Sequence, residues 1–261
     1  MDPFEHLKAE VGYLKSSLIS TEMFGPVTAY TLYVIFITLL ILLIVFMAKS
    51  QLALVPRNRF VGVVEFFVDF GQKDVGYGVL GNSAREHIPF LLTLFIFILV
   101  SNMVGLIPGA KAATGTMGTT VTLAAISFVY FTYHGIKKQG GLHYLKSFAP
   151  KGLKPAPLAA FIWLLELVSN VLRLLTLSVR LFANMFAGHL LLGVLAILCN
   201  LFFVAFISNL ALSAVPTLLG SLLWLLLLTV LYALEAFVAC VQAYVFTLLS
   251  SVYVFLATSE H

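Results

Sequence analysis

LAAFIWLLELVSNVLRLLTLSVRLFANMFAGHLLLGVLAIL, Leu158 to Leu198, is the stretch on which the fold turns. It contains no proline and no polar turn, and its only glycines are Gly188 and Gly193. As one helix, its roughly 40 residues would extend about 60 Å. That is twice the hydrocarbon core of a bilayer, which is about 30 Å thick. Such a helix must tilt strongly, kink or be split, because ordinary hydrophobic mismatch does not stretch that far. After a short break at Ser213-Ala214-Val215-Pro216, a second apolar run reaches Leu256. The pattern predicts two long, steeply tilted helices, over 158–198 and 217–257, forming a hairpin.

The rest of the chain agrees with this setting. Of its 261 residues, 61% are hydrophobic and 10% charged, and mean hydropathy is +1.05. Soluble domains are nearer half apolar and a quarter charged. The expected fold is an all-α integral membrane protein, a single membrane domain over 1–261 with five membrane helices and one amphipathic interfacial helix. Helix one is expected over 27–48, helix two over 89–107 (stopped by Pro108-Gly109) and helix three over 118–135. In 57–80, Phe60, Val63, Val64, Phe67, Val68 and Phe70 alternate with Glu65, Asp69, Gln72 and Lys73, which suits a helix lying on the membrane surface. The first 25 residues carry four acidic groups and do not read as a cleaved signal peptide.

Charge sets the orientation. Residues 49–88 and 136–157 hold five Lys or Arg each, against Lys111 alone in 109–117 and Lys8 and Lys15 in the N-terminal tail, 1–26. The positive-inside rule places the two basic loops inside, the N-terminus outside and the C-terminus inside. The net charge of +4 therefore reflects topology and gives no ground for nucleic-acid binding. Cys199 and Cys240 lie in apolar helical stretches and read as small core residues.

Within the first long helix, polar residues share one face. With Arg180 at zero and 100° per residue, Arg173 falls at about +20°, Glu166 and Asn184 at about +40°, Ser169 at about −20°, Thr176 at about −40° and Asn170 at about +80°. His189 falls on the opposite side. Buried hydrogen bonding between helices would account for Ser169 and Thr176, and Glu166 with Arg173 could be an i, i+7 ion pair. Arg180 is harder to explain that way. It sits near the middle of the helix without an acidic residue one or two turns away, and intramembrane ionisable groups usually mark an ion path, a counter-ion or a sensor. On the last helix, Glu235 and Gln242 are seven apart and share a face with Tyr232 and Ala239. His189 on one hairpin arm and Glu235 on the other form a candidate proton-relay pair. No two histidines are expected to face each other at haem-ligand geometry, so neither haem nor metal is expected. There is no Walker loop, Gly-x-Ser-x-Gly or acid–His–nucleophile set, and soluble-type catalysis is not indicated.

LSVRLFANMFAGHLL (177–191) and VQAYVFTLLSSVY (241–253) resemble the two signature stretches of subunit a of the rotary F-type ATP synthase. The spacing, the five-helix plan and the terminal Ser259–His261 agree with that likeness. It is specific in the last 100 residues or so and loose before Pro89. The resemblance implies that Arg180 is the essential arginine facing the ring of c subunits, with Asn184 and Gln242 flanking it. It implies that His189 and Glu235 form the pair in the outer aqueous half-channel. Glu166, Ser169 and Asn170, with Arg173 and Thr176, fall on the inner side. Many bacterial members carry a carboxylate at position 189 and a histidine at 235; here the two are exchanged, which keeps the acid–imidazole pair. Ala183 stands where the motif commonly has glycine.

The resemblance further implies proton transport without catalysis by this chain, and no cofactor. Its partners would be c-ring proteolipids, peripheral-stalk b-type subunits and membrane lipid. The bacterial plasma membrane is the favoured location, the mitochondrial inner membrane the other. Two further readings remain at this stage: a secondary proton-coupled transporter and a structural subunit of a respiratory complex. The first would normally show internal repeats and broken helices around a midplane site; the second leaves Arg180 and the His189/Glu235 pair unexplained.

Overall fold

The computed structural model describes residues 12, 22–24, 27–50, 59–107, 109–140, 156–208 and 215–258. Most of the N-terminal tail, Arg57, the basic loop beyond residue 140 with His143, Ser213-Ala214 of the hairpin break, and Ser259–His261 lie outside these residues. A short antiparallel pair, β1 (Glu22–Phe24) and β2 (Val27–Thr28), leads into α1 (Ala29–Ser50). Then come α2 (Arg59–Phe70), α3 (Ala84–Gly105), α4 (Met117–Gln139), α5 (Ala156–Ser208) and α6 (Val215–Thr258).

The two long arms exceed the sequence expectation at one end. The run expected to stop at residue 198 continues to Ser208, giving 53 residues, or about 80 Å. Asn200 is the only strongly polar residue in that extension before Ser208. One such side chain on an otherwise apolar helix does not stop it, because the backbone still has every reason to close its own hydrogen bonds in an apolar medium. The partner arm has 44 residues, about 66 Å.

Four helices are long and apolar enough to cross a membrane by length and composition, over Tyr30–Lys49, Ala84–Gly105, Phe161–Ile207 and Leu218–Thr258. The fifth expected span lies within α4, which has 23 residues but carries four threonines, two tyrosines and His134. Composition alone does not mark it as a span.

The interfacial segment differs from a single helix over 57–80. From Arg59 the α-helix runs only to Phe70, followed by a π-helical turn at Gly71–Tyr77, an α-turn at Gly78–Leu80 and a 3₁₀ turn at Gly81–Ser83. Gly81 takes φ +55°, a left-handed conformation that glycine adopts without steric penalty. The wide π turn presses on α3: a Cβ on Gly76 would lie 2.8 Å from Ile88 Cγ1. From α6, the Ser251 hydroxyl donates to the Val75 carbonyl inside that turn at 2.8 Å. Helix α3 also starts earlier than expected, at Ala84 rather than Pro89. Pro89 sits near the start of the helix, where its missing N–H removes only the bond to the Arg85 carbonyl.

The core lies where four helices meet. Ile98 and Phe95 of α3, Ala124 of α4, Leu181 of α5 and Phe246 of α6 are buried together. Polar pairs fix the register beside it. The Ser127 hydroxyl on α4 donates to Ser250 Oγ on α6 at 2.9 Å, and Gln139 Nε2 donates to the Ala257 carbonyl at 3.1 Å. By contrast, α1 exposes Phe36, Leu39 and Phe46, as a lipid-facing helix would.

Replacing Ser251 with Ala should leave the Val75 carbonyl without its side-chain donor and lower unfolding free energy by about 0.5–2 kcal/mol. Denaturant titration in micelles would read this, and an unchanged curve would show that the bond carries no stability.

Candidate functional site

The polar stripe of α5 divides into an exposed edge and a paired end. Arg180 and Thr176 are exposed, while Leu177, Ser178 and Leu181 beside them are buried. Thr176 donates back to the Arg173 carbonyl in its own helix at 3.0 Å. Among the described residues, Arg180 makes no hydrogen bond or ion pair. A guanidinium with five donors is thus presented outward from an apolar helix with no acceptor from its own described chain.

Two to four turns earlier, the stripe is closed on itself. Arg173 Nη2 lies 3.6 Å from Glu166 Oε1, and Arg173 Nη1 donates to Asn170 Oδ1 at 3.1 Å. Its guanidinium also stands over the Tyr253 ring of α6, 5.6 Å from the centroid. The i, i+7 ion pair considered from the sequence is therefore present, and α6 adds the aromatic partner that the sequence reading did not anticipate. Asn170 is buried; Glu166, Ser169 and Arg173 are half-buried.

Toward the other end, Glu235 of α6 lies against Gly188 of α5, the residue before His189. A Cβ at Gly188 would sit 2.6 Å from Glu235 Cδ and closer still to Oε1. Only a residue without a side chain lets the carboxyl group lie against α5. His189 Nε2 in turn lies 3.2 Å from where a Cβ on Gly105 of α3 would be. No direct hydrogen bond joins His189 to Glu235 among the described residues.

Five buried side-chain N or O atoms have no hydrogen-bond partner among the described residues. Four of them are Asn184 Nδ2, His189 Nε2, Glu235 Oε1 and Gln242 Nε2; the fifth is Thr132 Oγ1. Buried polar groups are nearly always paired, and an orphan calls for an explanation. Here the orphans gather on facing stretches of the two arms, and all four belong to residues singled out by their spacing. Glu235 and Gln242 are only 7% and 8% exposed, so bulk solvent does not satisfy them from outside. The arrangement can pass a proton between an imidazole, a carboxyl and bridging water, and it holds a fixed cation on a neighbouring exposed edge.

Several contributors were not legible beforehand. Gly105 and Gly188 matter for the side chain they lack. On α3, Ser101 and Asn102 are fully buried and hydrogen-bond to Thr114 in the 3₁₀ turn Ala113–Gly115. Lys111, in the same connection, stands over the Tyr30 ring at 4.9 Å, and burial pushes its ammonium pKa down. The sequence did not show that two of the histidines come into contact. The His87 and His134 rings are 4.9 Å apart, edge to face, and His87 Nδ1 is 3.0 Å from the Tyr130 hydroxyl. The antiparallel course of α3 and α4 joins them, which helix-end positions in a sequence do not reveal.

The family described as "ATP synthase A chain" matches residues 30–255 of the chain. A protein named ATP synthase subunit a from Rubrobacter xylanophilus is 38% identical over 196 residues, covering 75% of this chain and 70% of that protein. One of the same name from Nocardioides sp. is 37% identical over 242 residues, 89% of this chain and 84% of that protein. Another from Ehrlichia canis is 31% identical over 234 residues, 90% of this chain and 89% of that protein.

Gly188→Val forces a side chain into the Glu235 carboxyl and should destabilise the chain by about 1–3 kcal/mol. Adding Glu235→Ala should recover much of that loss in thermal denaturation. Additive losses in the double variant would show that the two positions do not compete for space.

Proposed function

The chain belongs to the ATP synthase A chain family, and from that premise we propose how its residues carry out proton translocation. Family membership sets aside the secondary-transporter and respiratory-subunit readings. This is an integral membrane protein, the proton-translocating subunit of an ATP synthase, and it does not itself catalyse ATP formation.

In the proposed mechanism, Arg180 faces a ring of c-type proteolipids. The observation that carries this assignment is its exposure on an apolar helix with no partner among the described residues. A fixed cation there attracts each arriving ring carboxylate and favours its ionised form, so a proton is released. It also repels a proton that would pass straight across. Arginine suits the task because it stays charged even where desolvated.

Two offset half-channels serve the ring. His189, Glu235, Asn184 and Gln242 line the outer one and the approach to Arg180; the clustering of their unpaired polar atoms supports a wetted path. Glu166, Ser169, Asn170, Arg173 and Thr176 lie on the inner side. The Glu166–Arg173 pair gives that end a fixed charge pattern. Protons enter through one path, ride the ring and leave through the other, and the gradient supplies about 2.3 kcal/mol per charge per 100 mV.

The long arms follow the ring surface at a steep tilt, since helices of this length cannot stand upright in a bilayer. Helix α4 is the fifth span, with one face packed against α5 and α6 and Ile126, Val129 and Tyr133 exposed on the other. The N-terminus is outside and the C-terminus inside. Peripheral-stalk b-type subunits hold the chain against the torque. The bacterial plasma membrane is the location we assign, in keeping with the bacterial relatives.

The test is ATP-driven acidification of inverted membrane vesicles. Arg180→Ala should assemble into the complex yet acidify nothing above background. Normal pumping by an assembled Arg180→Ala complex would overturn the assignment.

A further inference from the structure

The polar network at the outer end of α3 has no part in the mechanism so far. Thr114 stands at its centre and is fully buried, as are Ser101 and Asn102. The Thr114 hydroxyl donates to Asn102 Oδ1 at 2.7 Å, and its backbone N–H donates to Ser101 Oγ at 3.1 Å. Ser101 Oγ donates to Thr114 Oγ1 at 3.4 Å. With Oδ1 engaged by a donor, the Asn102 amide has one orientation that satisfies both ends. Its Nδ2 then donates across to the Ala239 carbonyl of α6, at 3.4 Å.

Two facts tie this network to the His189/Glu235 site. Ala239 is one turn beyond Glu235 on the same side of α6, so the Asn102 bond fixes the height of Glu235 relative to α3. Gly105 is three residues beyond Asn102, on the same side of α3, and its Cβ position lies 3.2 Å from His189 Nε2. The same Cβ would be 2.6 Å from Ala112 Cβ, two residues before Thr114. The end of α3 thereby approaches His189 directly and is tied to the helix of Glu235 through the bond to Ala239, one turn away.

The polar atoms of the network are all satisfied, whereas His189 Nε2 and Glu235 Oε1 are not. A rigid, paired frame beside an unpaired acid–imidazole set is what fast proton exchange requires. Transfer falls steeply when donor and acceptor drift out of hydrogen-bond or one-water reach. We infer that Asn102, locked in orientation by Thr114, is a positioning residue that sets the separation of His189 and Glu235. This rests on the proposed role of that pair in the outer half-channel.

Thr114→Val removes the hydroxyl and keeps the shape. The measurement uses the whole ATP synthase in inverted vesicles, where the lumen corresponds to the outer side. ATP synthesis is driven by imposed gradients at a series of lumenal pH values, at fixed external pH and potential, with complex content held constant by immunodetection. Thr114→Val should shift the half-maximal lumenal pH by about half a unit or more and lower the maximal rate several-fold. Thr114→Ser, which restores the donor, should return the profile to that of the native chain.

If Thr114→Val does not assemble, Thr114→Ala removes the same hydroxyl without added bulk and is read by the same criteria. An assembled hydroxyl-less variant with a native pH profile overturns the inference, as does failure of Thr114→Ser to restore it. Glu235→Gln in parallel separates the two levels of argument. If Glu235→Gln changes the profile and the Thr114 variants do not, the positioning role alone falls. If Glu235→Gln changes nothing, the underlying role of the pair falls with it.

Discussion

A guanidinium on an apolar helix, offered outward without an acceptor from its own described chain, is the constraint around which this structure is organised. Within hydrocarbon such a group is tolerated only against a partner or a polar cavity. Arg180 therefore makes the chain incomplete as an isolated object. In the proposed reading, the surface that carries it is met by another component with a carboxylate, the c-type ring. In that reading the length of α5 serves the same requirement. A helix of about 80 Å can track a curved partner and carry polar groups at two well-separated levels, which an upright span of about 20 residues cannot.

The two levels are built by different means. At the Glu166 end, charge is satisfied locally by Arg173, Asn170 and the Tyr253 ring. At the His189 end, satisfaction is withheld: the acid lies against the residue next to the histidine, yet the described residues leave an atom of each unpaired. The first arrangement holds a side chain still. The second leaves room for water or a proton to mediate, at a desolvation cost that a purely structural contact would have no reason to bear.

Close approach is what makes the second arrangement possible, and glycine is the means. Gly188 admits the Glu235 carboxyl to the surface of α5, and Gly105 admits His189 to the end of α3. Small residues serve membrane helices generally by letting backbones approach. Here the space they open is taken by polar side chains from neighbouring helices. The hydroxyl and amide bonds of Ser101, Asn102 and Thr114 then hold the third helix against both arms, so three elements share one reference point.

What the sequence by itself determined was the periodic information. Runs of apolar residues too long for an upright span, the Lys and Arg bias between loops, and the angular coincidence of Glu166, Asn170, Arg173 and Arg180 are all properties of one chain's own spacing. Each follows from helix geometry and the cost of charge in lipid. The signature stretches around Arg180 and Gln242 added the family, and the comparisons agree. The structure decided which members of the stripe are paired among the described residues: Arg173 closes on Glu166 and Asn170 of its own helix beneath the Tyr253 ring of α6, while Arg180 is met by none of them. It also decided that His87 meets His134, that the interfacial segment is broken by a π turn on which Ser251 of α6 closes, and that Gly105 and Gly188 are clearances. A glycine or a threonine carries no mark of its neighbour in a sequence. Its role exists only once helices distant in the chain come within a few ångströms.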